Sequence, residues 1–243
     1  MRLTRIHVKG PLTVGGSHRI SGNAANHITR VLRLRAGDPL TLFDGNGGEY
    51  TARIEQLGRD EVLVAVGEHH AVDRESSLRL TLAQGVSRGE RMDWVIQKAT
   101  ELGVHRIVPV LTERTVVRLD ARQAERKLQH WQAVAVAACE QCGRNRVPEV
   151  TAPVRLRELL QNSASGETRV LLSPVGTLGV RDLAPSPMGL TVLIGPEGGL
   201  SESEQAEAVA AGFQAVRLGP RILRTETAAI AALTIIQRDF GDL

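Results

Sequence analysis

The sequence predicts an α/β protein in two parts, a small β-rich module followed by a larger parallel-sheet domain. Three observations predict it. The first 70 residues hold short β-type runs around a glycine-rich turn. From Leu78 onward, strand-like and helix-like runs alternate. Near the C-terminal end, two glycine turns each join a strand to a helix. Such alternation argues for a parallel sheet with helices on both faces. A chain of 243 residues is long enough for two parts with separate cores.

In the first part, strands are expected at 2–8, 39–43, 49–56 and 61–68. The turn Asp44-Gly45-Asn46-Gly47-Gly48 supplies the positive φ that tight hairpins need. Residues 26–34 read as a short helix, and the whole as a compact β-barrel or sandwich. A polar stretch, 69–77, then separates the parts, giving domains 1–72 and 73–243.

In the second part, strands are expected at 78–84, 107–111, 170–173, 191–195 and 215–218. Helices are expected at 91–102, 121–142, 201–211 and 225–240. The first of these helices carries Met92, Val95, Ala99 and Leu102 on one side and stops at Gly103, a good C-terminal cap. Ser201-Glu-Ser-Glu204 forms a capping box. Residues 174–190, rich in Pro and Gly, read as a loop. Trp94 and Trp131 fall in helical apolar patterns and are expected to be buried.

Composition narrows the function. No apolar run reaches ~18 residues, so no membrane span is expected. The opening MRLTRIHVKG does not resemble a signal peptide, and a cytoplasmic location follows. Residues 1–40 carry seven basic residues against Asp38 alone, a net +6, although the whole chain has only +3. A basic region on a balanced protein is the usual footprint of a nucleic-acid partner, and a solvated basic face would look the same. Cys139 and Cys142 lie three apart in an apparent helix, without the further ligands a zinc site requires. They read as packing residues, and no metal is expected.

Chemistry concentrates at the two glycine turns. Thr191-Val-Leu-Ile-Gly-Pro-Glu-Gly-Gly-Leu-Ser runs from a buried strand into a turn and a capped helix. Ala215-Val-Arg-Leu-Gly-Pro-Arg-Ile-Leu-Arg-Thr-Glu-Thr-Ala repeats the arrangement. Ligands of open α/β sheets bind at such strand ends, and glycine lets them approach the backbone. Neither turn is a dinucleotide fingerprint or a phosphate-binding P-loop. Two backbone walls would suit a flat ligand such as adenine; two ordinary strand-to-helix connections would read the same way.

These two stretches closely resemble the SPOUT superfamily of methyltransferases, and within it the 16S ribosomal RNA uridine N3-methyltransferase family. The likeness extends to Arg91-Met-Asp-Trp-Val-Ile-Gln-Lys-Ala-Thr-Glu-Leu-Gly103, Thr112-Glu-Arg-Thr-Val-Val117 and Glu140-Gln-Cys-Gly-Arg-Asn-Arg-Val-Pro148. It also covers His27-Ile-x-x-Val-Leu-Arg33 and Leu42-Phe-Asp-Gly45. The resemblance implies a PUA-like RNA-binding domain and a methyltransferase domain with a C-terminal trefoil knot, a topology that periodicity alone would not predict. It further implies a homodimer with the ligand pocket beside the subunit interface, a packing that the small residues Ala228, Ala229, Ala231 and Ala232 suit. S-adenosylmethionine (SAM) is the implied methyl donor, and 16S rRNA in the small ribosomal subunit the implied partner.

By the same resemblance, donor contacts are expected from Leu172 and Ser173, from Ile194, Gly195, Pro196, Gly198 and Gly199, and from Leu218, Gly219, Ile222, Leu223 and Thr227. Uridine N3 carries a proton, so a base or a cation that stabilises anionic uracil is expected. Arg224 is the candidate for the uracil oxygens, unless it pairs with Glu226 or a phosphate. Glu197 is the candidate base, unless it only shapes its turn. Arg2, Arg5, Arg30, Arg33, Arg35, Arg88, Arg114 and Arg144 are the candidate RNA contacts, with Arg146 extending the set. With 2% aromatic residues, base stacking is limited, which favours a structured RNA read by shape and phosphates. The rivals are ribose 2′-O-methylation and a non-enzymatic rRNA-binding assembly factor.

Overall fold

The structure, a computed structural model, describes residues 4–162 and 166–243. Arg2 lies outside the described residues. The chain forms two compact units. The first takes residues up to Glu75 together with Cys139–Val147; the second takes Ser76–Ala138 and Pro148–Leu243.

The first unit holds β1 (Arg5–His7), β2 (Ser17–Ser21), a short helix α1 (Gly22–Asn26), β3 (Pro39–Phe43), β4 (Glu49–Leu57) and β5 (Glu61–His70). The sheet order is β1-β3-β4-β5-β2, with only β1 and β3 parallel. Alternation fixes the register: Leu40 and Leu42 face inward, as do Val62, Val64 and Val66, and all join Ile6, Ile20, Ile28 and Ile54 in one core. β2 was not expected, because SHRIS carries a single buried apolar residue, Ile20. The expected helix at 26–34 is instead α1 followed by a π-helical turn over His27–Val31. That turn closes with Leu34 N–H donating to the Ile28 carbonyl (3.1 Å) and with Arg33 at φ +54°, the left-handed conformation usual for glycine.

The second unit holds β6 (Leu80–Gly85), α2 (Arg91–Glu101), β7 (Arg106–Leu111), α3 (Ala121–Cys142), β8 (Glu149–Val150), β9 (Val154–Arg155), α4 (Leu156–Asn162), β10 (Thr168–Leu172), β11 (Leu190–Ile194), α5 (Glu202–Ala210), β12 (Gln214–Val216) and α6 (Thr225–Phe240); the last four residues of α3 fall in the first unit. Its strands run parallel in the order β12-β10-β11-β6-β7-β8, with β9 beside β7. Every residue of β11 is buried, as expected for a central strand covered on both faces. β8, β9 and α4 were not expected; the two strands have two residues each, too short for a periodic signal. Two sequence signals are realised in detail. Gly103 takes φ +79° just past α2. Ser201 and Glu204 exchange both capping-box hydrogen bonds, at 3.2 and 2.9 Å.

One burial expectation fails. Trp131 is 1% exposed, but Trp94 is 44% exposed. On α2 the buried residues are Met92, Val95, Ile96, Ala99 and Thr100. Trp94 lies about 100° round from Val95 on the helical wheel; Val95 is itself at the edge of that face, so Trp94 falls on nearly the opposite side of the helix. Among the described residues no helix is long and apolar enough to cross a membrane.

Candidate functional site

The C-terminal ends of β10, β11 and β12 and the first turn of α6 enclose a cavity of about 590 Å³. Its wall is built from residues 172–175, 194–200, 216–219 and 221–226, with Arg91, Arg114, Gln205 and Ala228. The parallel sheet creates this place. Neighbouring strands end together, and the turns that follow leave a crevice above them.

Each turn is held from behind. Gly199 stands at φ +67°, and its N–H donates to the Pro196 carbonyl (2.8 Å), folding the β11 turn back on itself. The Gly195 carbonyl accepts the Thr225 hydroxyl at 2.6 Å, and Thr225 Oγ1 accepts from the buried Gln84 Nε2 at 2.8 Å. The turn after β11 is thereby tied to β6 and to the start of α6. Ser173, at the end of β10, donates its hydroxyl to Gln205 of α5 (2.9 Å). Gly85 lets the backbones of β6 and the turn meet, since a Cβ there would stand 2.3 Å from the Pro196 nitrogen. Gly85→Ala is therefore expected to displace the turn and to abolish ligand binding in the cavity while the domain still folds. Calorimetric titration against a melting curve checks this, and undiminished binding would contradict it.

The charged groups of the site are unevenly engaged. Glu197 accepts from the Arg88 backbone N–H (3.0 Å) and from Arg91 Nη1 (2.8 Å). Burial works to raise its pKa, but these donors and the Arg91 charge outweigh it and hold the carboxyl below the usual range. Arg114 donates to the Gly198 carbonyl (3.0 Å). Glu226 faces Arg91 at 4.0 Å, not Arg224. Among the described residues, no ion pair or hydrogen bond engages the exposed Arg224 guanidinium.

Of the residues expected to contact the donor, all but Thr227 line this one cavity, as do Arg224 and Glu197; Thr227 is exposed on α6 outside the wall. The sequence reading missed Arg91, Thr225 and Glu226. The signal for Glu226 is its place in the Arg-Thr-Glu-Thr stretch, two residues after Arg224.

The arginines expected to touch RNA divide into two groups. Arg30, Arg33, Arg35, Arg88, Arg114 and Arg146 are exposed. Arg5 and Arg144 are buried, which corrects that expectation for both. Arg5 pairs with Glu49, donates to the Arg144 carbonyl (3.2 Å) and to Asn145 Oδ1, and stacks on Phe43 at 4.9 Å. Arg144 pairs with Glu75. Both hold the segment 139–147 inside the first unit. Cys139 is buried there, and burial pushes its thiol up to about 12, so it stays a protonated packing group. Cys142 is half-buried.

A parallel α/β domain with a backbone-lined cavity at its strand ends defines a nucleotide-type ligand site, and a small β module precedes that domain in the chain. Family models agree: residues 74–237 match an RNA methyltransferase domain and residues 20–67 an RNA methyltransferase PUA domain. The chain belongs to the ribosomal RNA small subunit methyltransferase E family of RNA methyltransferases. It is 33% identical to that protein of Buchnera aphidicola over 242 residues, covering 100% of this chain and 98% of the relative. It is 34% identical to that of Bacillus subtilis, covering 89% and 88%. The fold superposes with a TM-score of 0.97 on a methyltransferase from Legionella pneumophila solved with SAM bound (41% identical, 100% of both chains covered). It superposes with a TM-score of 0.92 on the small subunit methyltransferase E of Neisseria gonorrhoeae, also SAM-bound (40% identical, 100% of both chains).

Proposed function

We propose that this protein transfers the methyl group of SAM to N3 of a uridine in 16S rRNA of the small ribosomal subunit. The observation that carries the reading is the single cavity that gathers eleven of the twelve expected donor residues together with Arg224. When bound, SAM supplies a methyl carbon on a positively charged sulfur that is ready to leave. The chain's own work is then placement and charge. The carbonyl of Gly195, fixed by Thr225, and the neighbouring turn backbones would hold the adenosine moiety. Leu172, Leu218, Ile222 and Leu223 would give it apolar contact. Arg224 would hold a uracil oxygen as negative charge develops. Glu197, ionised and bonded to Arg88 and Arg91, would brace the turn rather than act as base.

Arg30, Arg33 and Arg35 in the first unit, with Arg88, Arg114 and Arg146, would meet RNA phosphates. Arg33 tests this, because its left-handed backbone costs ~1–2 kcal/mol in any residue with a Cβ. Arg33→Gly removes that cost but adds ~0.5–1 kcal/mol of chain entropy. The variant should thus be as stable as the parent or slightly more so, while its RNA affinity falls and its salt slope drops by about 1. Unchanged affinity would remove Arg33 from the interface.

The resemblance also supports a homodimer, a trefoil-knotted chain and a cytoplasmic place of action. Val175 and Ile222, 81% and 85% exposed on the cavity wall, form an apolar rim of the kind a second copy covers. Light scattering would read twice 26.3 kDa for a dimer. The deciding experiment is methyl transfer from labelled SAM to small subunits from cells lacking the protein, with the product nucleoside identified by mass spectrometry. Label in 3-methyluridine is expected. Label on ribose would establish the 2′-O reaction instead, and tight subunit binding without label would establish an assembly factor.

A further inference from the structure

The acceptor nitrogen must lose a proton, and the cavity offers few places for it. Among the described residues of its wall there is no histidine, lysine, cysteine, tyrosine or aspartate; the ionisable acceptors are Glu197 and Glu226 alone. Glu197 is occupied by two donors from the start of α2 and the segment before it, which leaves it serving the turn. Glu226 is placed differently. Its side chain is 17% exposed, so bulk water reaches it poorly, and its nearest cation, Arg91 Nε, stands 4.0 Å away, beyond hydrogen-bond distance. It sits two residues after Arg224, so one turn of chain presents both groups to the same cavity.

We propose that Glu226 accepts the N3 proton of the uridine, in the reaction proposed above, while Arg224 holds the uracil oxygen. N3–H passes its proton to a Glu226 oxygen. The electron pair left on N3 forms the new bond to the methyl carbon. The carbon–sulfur bond breaks with its electrons retained by sulfur, giving a neutral thioether. The Glu226 carboxylic acid then returns its proton to water. The other charged groups on the wall are Arg91 from α2, Arg114, Glu197, Arg217, Arg221 and Arg224. The cationic excess among them favours an anionic uracil.

A carboxylate in the first turn of a helix also complements the helix dipole, so loss of rate alone would not separate a chemical role from a structural one. The test uses small subunits reconstituted with 16S rRNA containing either uridine or 5-fluorouridine, whose fluorine makes N3–H more acidic. Glu226→Gln is expected to bind SAM like the parent in calorimetry and to lose about 10²-fold or more in kcat on uridine RNA. The defect should shrink by about tenfold on 5-fluorouridine RNA, where a base is needed less. Glu226→Asp, which keeps the carboxylate, should retain part of the rate. An equal defect on both RNAs, a few-fold effect only, or loss of SAM affinity in Glu226→Gln would each overturn the assignment. Absence of 3-methyluridine from reactions of the parent enzyme would overturn the reading it rests on, and is scored separately before any variant is compared.

Discussion

Replacing Arg224 with alanine is expected to lower kcat by about 10²–10³-fold at saturating SAM, the loss typical of a removed donor to a developing oxyanion. The structure supplies the reasons. Arg224 is the residue just before α6, in extended backbone at φ −63°, ψ 151°, and its side chain makes no cap for that helix. Its carbonyl still accepts the first helical N–H, from Ala228 at 2.8 Å, so the backbone is fixed while the side chain is free to act. The partner that sequence reasoning had offered it, Glu226, faces Arg91 instead. A guanidinium on the wall of a ligand cavity, without an ion pair among the described residues, is available to a substrate oxygen. Arg224→Lys should recover part of the rate, because it restores charge without the two-pronged geometry. Single-turnover kinetics on small subunits is the measurement, with calorimetry for SAM. A kcat unchanged in the alanine variant would remove Arg224 from the chemistry.

Arg144→Ala is expected to produce the largest loss of stability, about 3–5 kcal/mol, as when one member of a buried ion pair is removed. The Arg144 and Glu75 side chains are 5% and 8% exposed. Arg144 Nε donates to Glu75 Oε2 at 3.0 Å, and the Arg146 N–H reaches Glu75 Oε1 at 3.3 Å. Removing the guanidinium leaves a buried carboxylate without its counter-charge and opens a void beside Asn145 and Arg5. Urea denaturation with separate probes for the two units should show the first unit yielding at lower denaturant. The double variant Arg144→Met with Glu75→Leu should recover much of the loss, since an apolar pair of similar volume leaves no charge unpaired. If the alanine variant were instead as stable as the parent but deficient in RNA binding, the original reading of Arg144 as an RNA contact would stand.

These two arginines show where sequence reading works and where it stops. Arg224 was found because a strand, a glycine turn and a helix start lie within a dozen residues, and local patterns of that kind survive folding. Arg144 was misassigned because nothing within a dozen residues shows that it is buried. Its partner Glu75 lies 69 residues earlier, and Arg5, which donates to its carbonyl, lies 139 residues earlier. Trp94 went wrong for a different, local reason. Its apolar ring suggests burial, yet helical spacing sets it nearly opposite Met92, Val95, Ile96, Ala99 and Thr100, the residues that α2 buries.

Local patterns are enough for the alternation of strands and helices, the hairpin turn, the capping box at Ser201, the stop at Gly103 and the two glycine turns. Each rests on backbone torsion or hydrogen bonds between residues a few positions apart. Long-range packing is what returns 139–147 to the first unit, bonds Glu197 to Arg88 and Arg91, and leaves Glu226 facing the cavity. Those outcomes depend on which charges meet across long stretches of chain, and a charge finds its partner only after the strands have fixed where each turn ends.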